Sequence, residues 1–150
     1  MTESIYDKPE TTSDERLLSL FSHLSTFVGG IILPIIFWAI HKDKSKFVRF
    51  HSLQAIFFHI VYLFFVLVMT IFGTLFVSLG MVGLGTATNY GSKGMPVFMV
   101  ILLILFVFVL FVVIFGTLGY SIYVGIKAYK GELKRYPIIG NIIYKKVYGV

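Results

Sequence analysis

The stretch LLSLFSHLSTFVGGIILPIIFWAI, Leu17 to Ile40, decides how this chain is threaded. It is apolar and long enough to cross a bilayer, since about 20 such residues cover about 30 Å of hydrocarbon. Gly29-Gly30 interrupt it, however, and Pro34 follows. Proline removes a helix donor and collides with the carbonyl four residues back, which here belongs to Gly30. That combination bends a helix sharply. The same residues also fit a re-entrant hairpin that returns the chain to the side it came from. The kinked single span is favoured, because non-helical backbone in lipid is tolerated only where protein or water covers it. A helix start precedes the stretch: Thr12 with Glu15 three residues on forms a capping box.

The rest of the chain is similarly apolar. Of 150 residues, 57% are hydrophobic and 13% charged, against about 25% charged in globular domains. A soluble protein of this size cannot hide so much apolar surface, so the bilayer is its solvent. Two further runs, Leu53 to Leu79 and Pro96 to Ile126, are long enough to span. Proline is well suited to a first helical turn, so the last run can begin at Pro96. The expected fold is an all-α integral membrane protein with three long transmembrane helices at about 17–40, 53–79 and 96–126. These make up a helical membrane domain over residues 15–130, with a glycine-rich loop at 80–95. Its five glycines over residues 80–94 follow no strand and lead to no Gly-Lys-Ser ending, so a phosphate cradle is not indicated.

Residues 1–14 read as a disordered acidic tail that is retained, with neither a basic n-region nor a small-residue cleavage site. Residues 131–150 read as a basic tail lying in the interface, too short to span. In that tail Ile138, Ile139, Ile142 and Ile143 fall to one side of a helix, Tyr136 and Tyr144 suit the headgroup level, and Gly140 weakens the helix.

Charge sets the expected orientation. The first connection carries Lys42, Lys44, Lys46 and Arg49, and the C-terminal segment carries Lys127, Lys130, Lys134, Arg135, Lys145 and Lys146. The glycine-rich loop between them carries only Lys93. Positive residues gather on the cytoplasmic side, so the first connection and the C-terminus are read as cytoplasmic. A single first span then puts the N-terminus outside. Lys42, Lys44, Lys46, Arg49, Lys134, Arg135, Lys145 and Lys146 are the candidate headgroup contacts, and anionic lipid, not nucleic acid, is the partner that the +6 charge implies.

Polar residues within the spans are the candidate contact sites. Under this threading Ser22, His23, Ser25 and Thr26 share a depth with Thr70, Thr74 and Ser78, which recur every fourth residue on one face. At the other end His51, Gln54 and His59 share a depth with Thr117, Ser121 and Gly125. Small and hydroxyl side chains at such spacing let helices approach closely and hydrogen-bond across. Ionisable residues within spans are costly and often functional, so His23 and His59 are also candidates for lining a conduit. No Asp or Glu stands between Lys46 and Lys130 to assist a proton or cation route. A metal site is not indicated. His51 and His59 lie about 12 Å apart along a helix, and the chain has no cysteine. Nor is there a nucleophile–base–acid arrangement, so no enzyme activity and no cofactor are expected.

The order RLLSLFSHLSTFVGGIILPIIFWAIHKDKSKFVRFHSLQA, a long span, a loop, another span and then IKAYKGELKRYPIIGNII is similar to a family of small bacterial membrane proteins. That family is grouped with the twenty-kilodalton translocon subunit of the chloroplast inner envelope and with magnetosome proteins of the MamF type. The resemblance runs from about Glu15 to Tyr148 and is most specific at Phe47, Val48, Arg49, Phe50, His51, Gln54 and Ala55. It implies a helical membrane fold without known enzyme activity, and membership of larger assemblies in a bacterial inner membrane. The expected function is therefore a non-catalytic subunit or scaffold with other membrane subunits, or copies of itself, as partners. The alternatives are a small conduit for protons, ions or an unfolded segment, and an organiser of anionic lipids.

Overall fold

The computed structural model describes residues 9–88 and 97–149. Residues 1–8 of the tail expected over 1–14, residues 89–95 of the loop expected over 80–95, and Pro96 lie outside the described residues. The protein is all-α, with α1 at Ser13–Leu24, α2 at Ile32–His41, α3 at Lys46–Thr88, α4 at Val97–Tyr129 and α5 at Ile139–Tyr148.

Helices α3 and α4 take up the second and third expected spans. Lys46–Gly80 within α3 covers 35 residues and Val97–Tyr129 covers 33, both apolar enough to cross a membrane. At 1.5 Å per residue each extends about 50 Å, well beyond about 30 Å of hydrocarbon. Helix α3 also continues through Thr88, so the expected loop does not begin at residue 80. Once a helix is nucleated, each added residue gains a hydrogen bond for fixing one residue only, which carries it past isolated glycines.

Residues 17–40 are not one continuous helix. The Thr12–Glu15 capping box starts α1 as expected, with the Thr12 hydroxyl accepting from the Glu15 N–H and the Glu15 carboxylate accepting from the Thr12 N–H. The helix then stops at Leu24, and a turn passes through Gly29 and Gly30 at φ +86° and +53°, left-handed values that glycine adopts without a Cβ penalty. Pro34 falls in the first turn of α2. There the collision that makes proline a breaker is absent, because Gly30 lies outside the helix. The kink expected from the sequence is a turn between two short helices.

The chain forms two compact units. One holds the residues up to Tyr62 together with those from Thr117 on, and the other is Leu63–Gly116. In the first, α1, α2, the start of α3, the end of α4 and α5 pack together. Glu15 at the beginning of α1 faces Ser45 and His41, at the end of α2, so the two short helices run antiparallel. Ser22 of α1 meets Ser52 of α3 at 3.0 Å. Helix α5 is not a loose interfacial tail: Ile143 and Val147 pack with Phe47, Phe50 and Leu133 in one core cluster. The four isoleucines divide accordingly, with Ile138 and Ile142 exposed, Ile143 buried and Ile139 partly buried against the same cluster.

In the second unit α3 and α4 pack antiparallel. A Cβ on Gly73 would meet Phe106 at 3.0 Å, and one on Gly80 would meet Met99 at 2.8 Å. Much of the remaining surface is large apolar side chains, Phe64, Phe72 and Phe108 each more than 60% exposed. Lipid, not water, suits that surface.

Candidate functional site: a buried histidine network

Small residues bring three helices together in the first unit. On α1, Ser19, Ser22 and His23 form one buried face, as residues three and four apart do. On α4, Ser121, Val124, Gly125 and Ala128 are buried. A Cβ on Gly125 would stand 3.1 Å from Leu20 and 3.4 Å from His23, so glycine there lets α1 lie close. From α3 come His51, Ser52, Gln54 and Ala55, all at most 1% exposed.

His23 is the centre of this arrangement. Its Nδ1 lies 3.1 Å from the Tyr136 hydroxyl and its Nε2 lies 3.0 Å from His51 Nδ1. The two imidazoles meet edge to face, at 85°. If the Tyr136 O–H donates to His23, then His23 Nε2–H donates to His51, whose own proton sits on Nε2. Burial pushes the Tyr136 phenol up, opposed by the Ser121 hydroxyl and reinforced by Tyr120. Tyr136 also stacks on Phe58 with ring centroids 4.8 Å apart.

Gln54 fastens the segment after α4. Its Oε1 accepts from the Tyr136 N–H at 2.8 Å, and its Nε2 donates to the Lys134 carbonyl at 3.2 Å. Gly140 is part of the same contact. A Cβ there would fall 2.7 Å from Gln54 Oε1 and 2.8 Å from the Arg135 Cα, so the glycine expected to weaken α5 is what admits it.

Of the expected contact residues, His23, His51, Gln54, Ser121 and Gly125 come together in this unit. His59 is 5% exposed, bonded through Nδ1 to the Ala55 carbonyl at 2.7 Å, while its Nε2 is buried without a partner. Thr117 is half-buried, as is Arg49, whose Nε is unpartnered. His23, expected at the depth of Thr70, Thr74 and Ser78, bonds His51 near the start of α3. Those three line an open cleft of about 470 Å³ with Gly73, Phe106 and Leu110 in the other unit.

Tyr136 was expected at the headgroups, yet it is 3% exposed and joins the network. Ser52 was missed altogether. Its place beside His51 is the signal, since both face α1. Among the expected headgroup residues, Lys42, Lys44, Lys46, Lys145 and Lys146 are exposed. Arg135 instead lies 3.8 Å over the Tyr144 ring and bonds Asn141, while the Lys134 amine lies 5.6 Å from the Tyr123 ring centre. Among the described residues no three histidine or carboxylate side chains gather as a metal cluster would require.

The model of the magnetosome magnetite crystal formation protein family matches residues 14–143, most of the chain and both long helices. No curated protein and no solved structure matches it. The resemblance to the chloroplast translocon subunit gains no support from these comparisons.

Proposed function

The chain belongs to the magnetosome magnetite crystal formation protein family, and from that premise we propose that it is a non-catalytic multi-pass subunit or scaffold of a membrane assembly. The family's description connects its members with magnetite crystal formation, and we take the assembly to be of that kind, in a bacterial inner membrane. One observation carries the reading: the buried polar side chains bind one another. His23 and His51 are fully buried and bonded to each other, His23 also meets Tyr136, and the fully buried Gln54 bonds the backbone of Lys134 and Tyr136. Such a network fixes helix positions. The exposed surface of the long helices is available to lipid and to neighbouring helices. Crosslinking in native membranes, followed by mild detergent extraction, should recover a stoichiometric partner or a homo-oligomer. A strictly solitary monomer would end this reading.

A second reading rests on the continuous Tyr136–His23–His51 chain and on the unpartnered Nε2 atoms of His51 and His59. Such a chain could pass protons if water reached both ends. It predicts pH-dependent flux in liposomes that His59→Ala reduces, whereas flux no greater than in empty vesicles removes it.

A further inference from the structure

We propose that α1 and α2 form a re-entrant hairpin set into the hydrocarbon of a single leaflet, entering and leaving on the side of the basic loop and the C-terminus. This rests on reading α3 and α4 as spans, and it reverses the expectation that the N-terminus lies outside.

The two arms share an entrance. Glu15 at the start of α1 faces Ser45 and His41 beyond the end of α2. Thr11 and Arg16 lie against Gly131, just past α4, where a Cβ would meet them at 3.2 and 3.4 Å. The ends of α2 and α4 and the start of α3 thus meet the start of α1 at one place. Charges keep to that entrance: Asp14, Glu15 and Arg16 on one arm, Lys42, Asp43 and Lys44 on the other, with no Asp, Glu, Lys or Arg from Leu17 to His41.

The arms are too short to cross. Helix α1 has 12 residues and α2 has 10. At 1.5 Å per residue they reach about 18 and 15 Å, roughly half of the 30 Å hydrocarbon core.

The turn is built for a place without water. A helix leaves its last four carbonyls without partners in the helix, and in lipid each such group costs several kcal/mol. Here all four are satisfied. The Phe21 carbonyl accepts from the Ser25 N–H and the Leu24 carbonyl from the Phe27 N–H. The Ser22 carbonyl accepts from the Ser25 hydroxyl at 2.7 Å. The His23 carbonyl accepts from Ser121 at 2.7 Å and from Thr26 at 3.2 Å. At the start of α2 the Ile32 N–H donates to Gly29, and Pro34 has no N–H to leave stranded. The end of α1 is thus covered, as backbone in a re-entrant segment must be.

The outer surface matches lipid. Val28 at 76% and Ile32 at 65% are the most exposed residues near the tip, with Phe27, Ile35, Ile36 and Ile40 also exposed. Ser19, Ser22 and His23 turn inward. Apolar outside and polar inside is the reverse of a helix pair bathed in water.

The chain has no cysteine, so single cysteines at Glu10, Val28, Asn89 and Lys146 can each be tested in right-side-out and inverted vesicles. The probe is a membrane-impermeant maleimide, and monodisperse extraction confirms that each variant folds. Asn89→Cys and Lys146→Cys labelled from opposite sides establish the two spans; labelling from one side would fault the membrane reading itself. With that in hand, Glu10→Cys and Lys146→Cys should label from the same side. Val28→Cys should lose labelling from both sides, and a fluorophore there should be quenched by nitroxides carried on acyl chains. Glu10→Cys labelled from the side opposite Lys146→Cys would restore a single span and overturn the hairpin. Val28→Cys that reacts from water would overturn its insertion. Protection from maleimide without lipid quenching would mean that protein, not a leaflet, covers the tip, and would overturn the occupant.

Discussion

Gln54 joins two parts of the chain 82 residues apart through one amide, accepting from Tyr136 and donating to Lys134. Gln54→Leu leaves a buried N–H and a carbonyl without partners, at about 1–3 kcal/mol for each group so stranded. The thermal midpoint in detergent should fall clearly, and an unchanged midpoint would show that the clamp does not hold the 134–136 segment. At this scale the sequence made the polar residues legible, since histidines and a glutamine beside apolar spans have few roles but contact. Their partners were not legible. Tyr136 looks like any interfacial tyrosine until the return of the chain puts His23 and Phe58 on either side of it.

The helices themselves were readable wherever composition and length left one solution, as in α3 and α4. Residues 17–40 left two, because a Gly-Gly pair with a following proline serves a kink and a turn equally well. What separates them is the fate of the freed carbonyls, and that depends on Ser121, about a hundred residues away in sequence. Pro34 offers a test by sign. In the interior of one kinked helix, Pro34→Ala would relieve a penalty of about 3 kcal/mol and stabilise the protein. In the first turn of α2 it relieves nothing and removes a buried ring, so a modest loss is expected in an unfolding titration. Gly29→Ala, at φ +86°, should cost about 1–2 kcal/mol for the left-handed backbone, whereas in a continuous helix the same change would help. If both variants gain stability, the two-helix description fails.

Charge acts on the molecule as a whole. The first connection carries four lysines and arginines and the chain from Lys127 on carries six, with Lys93 the only one in the loop between α3 and α4. The acidic residues Glu10, Asp14 and Glu15 do not oppose placing the N-terminus beside these cations, because orientation follows lysine and arginine and is nearly indifferent to carboxylates. The scarcity of positive charge in the N-terminal tail is therefore a poor guide to its side. The same rule predicts redundancy. Replacing Lys42, Lys44 and Lys46 with Gln leaves Arg49 and all six C-terminal cations, so a C-terminal tag should stay on its original side. Adding Lys134→Gln, Arg135→Gln, Lys145→Gln and Lys146→Gln leaves Arg49 with Lys127 and Lys130 at the end of α4, and the bias over Lys93 becomes small. That sevenfold variant should insert in mixed orientation, read as tag accessibility from both faces of sealed vesicles. Complete inversion by the first three substitutions alone would mean that the C-terminal cations have no part in orientation. Uniform insertion of the sevenfold variant would mean that something other than these cations fixes the threading.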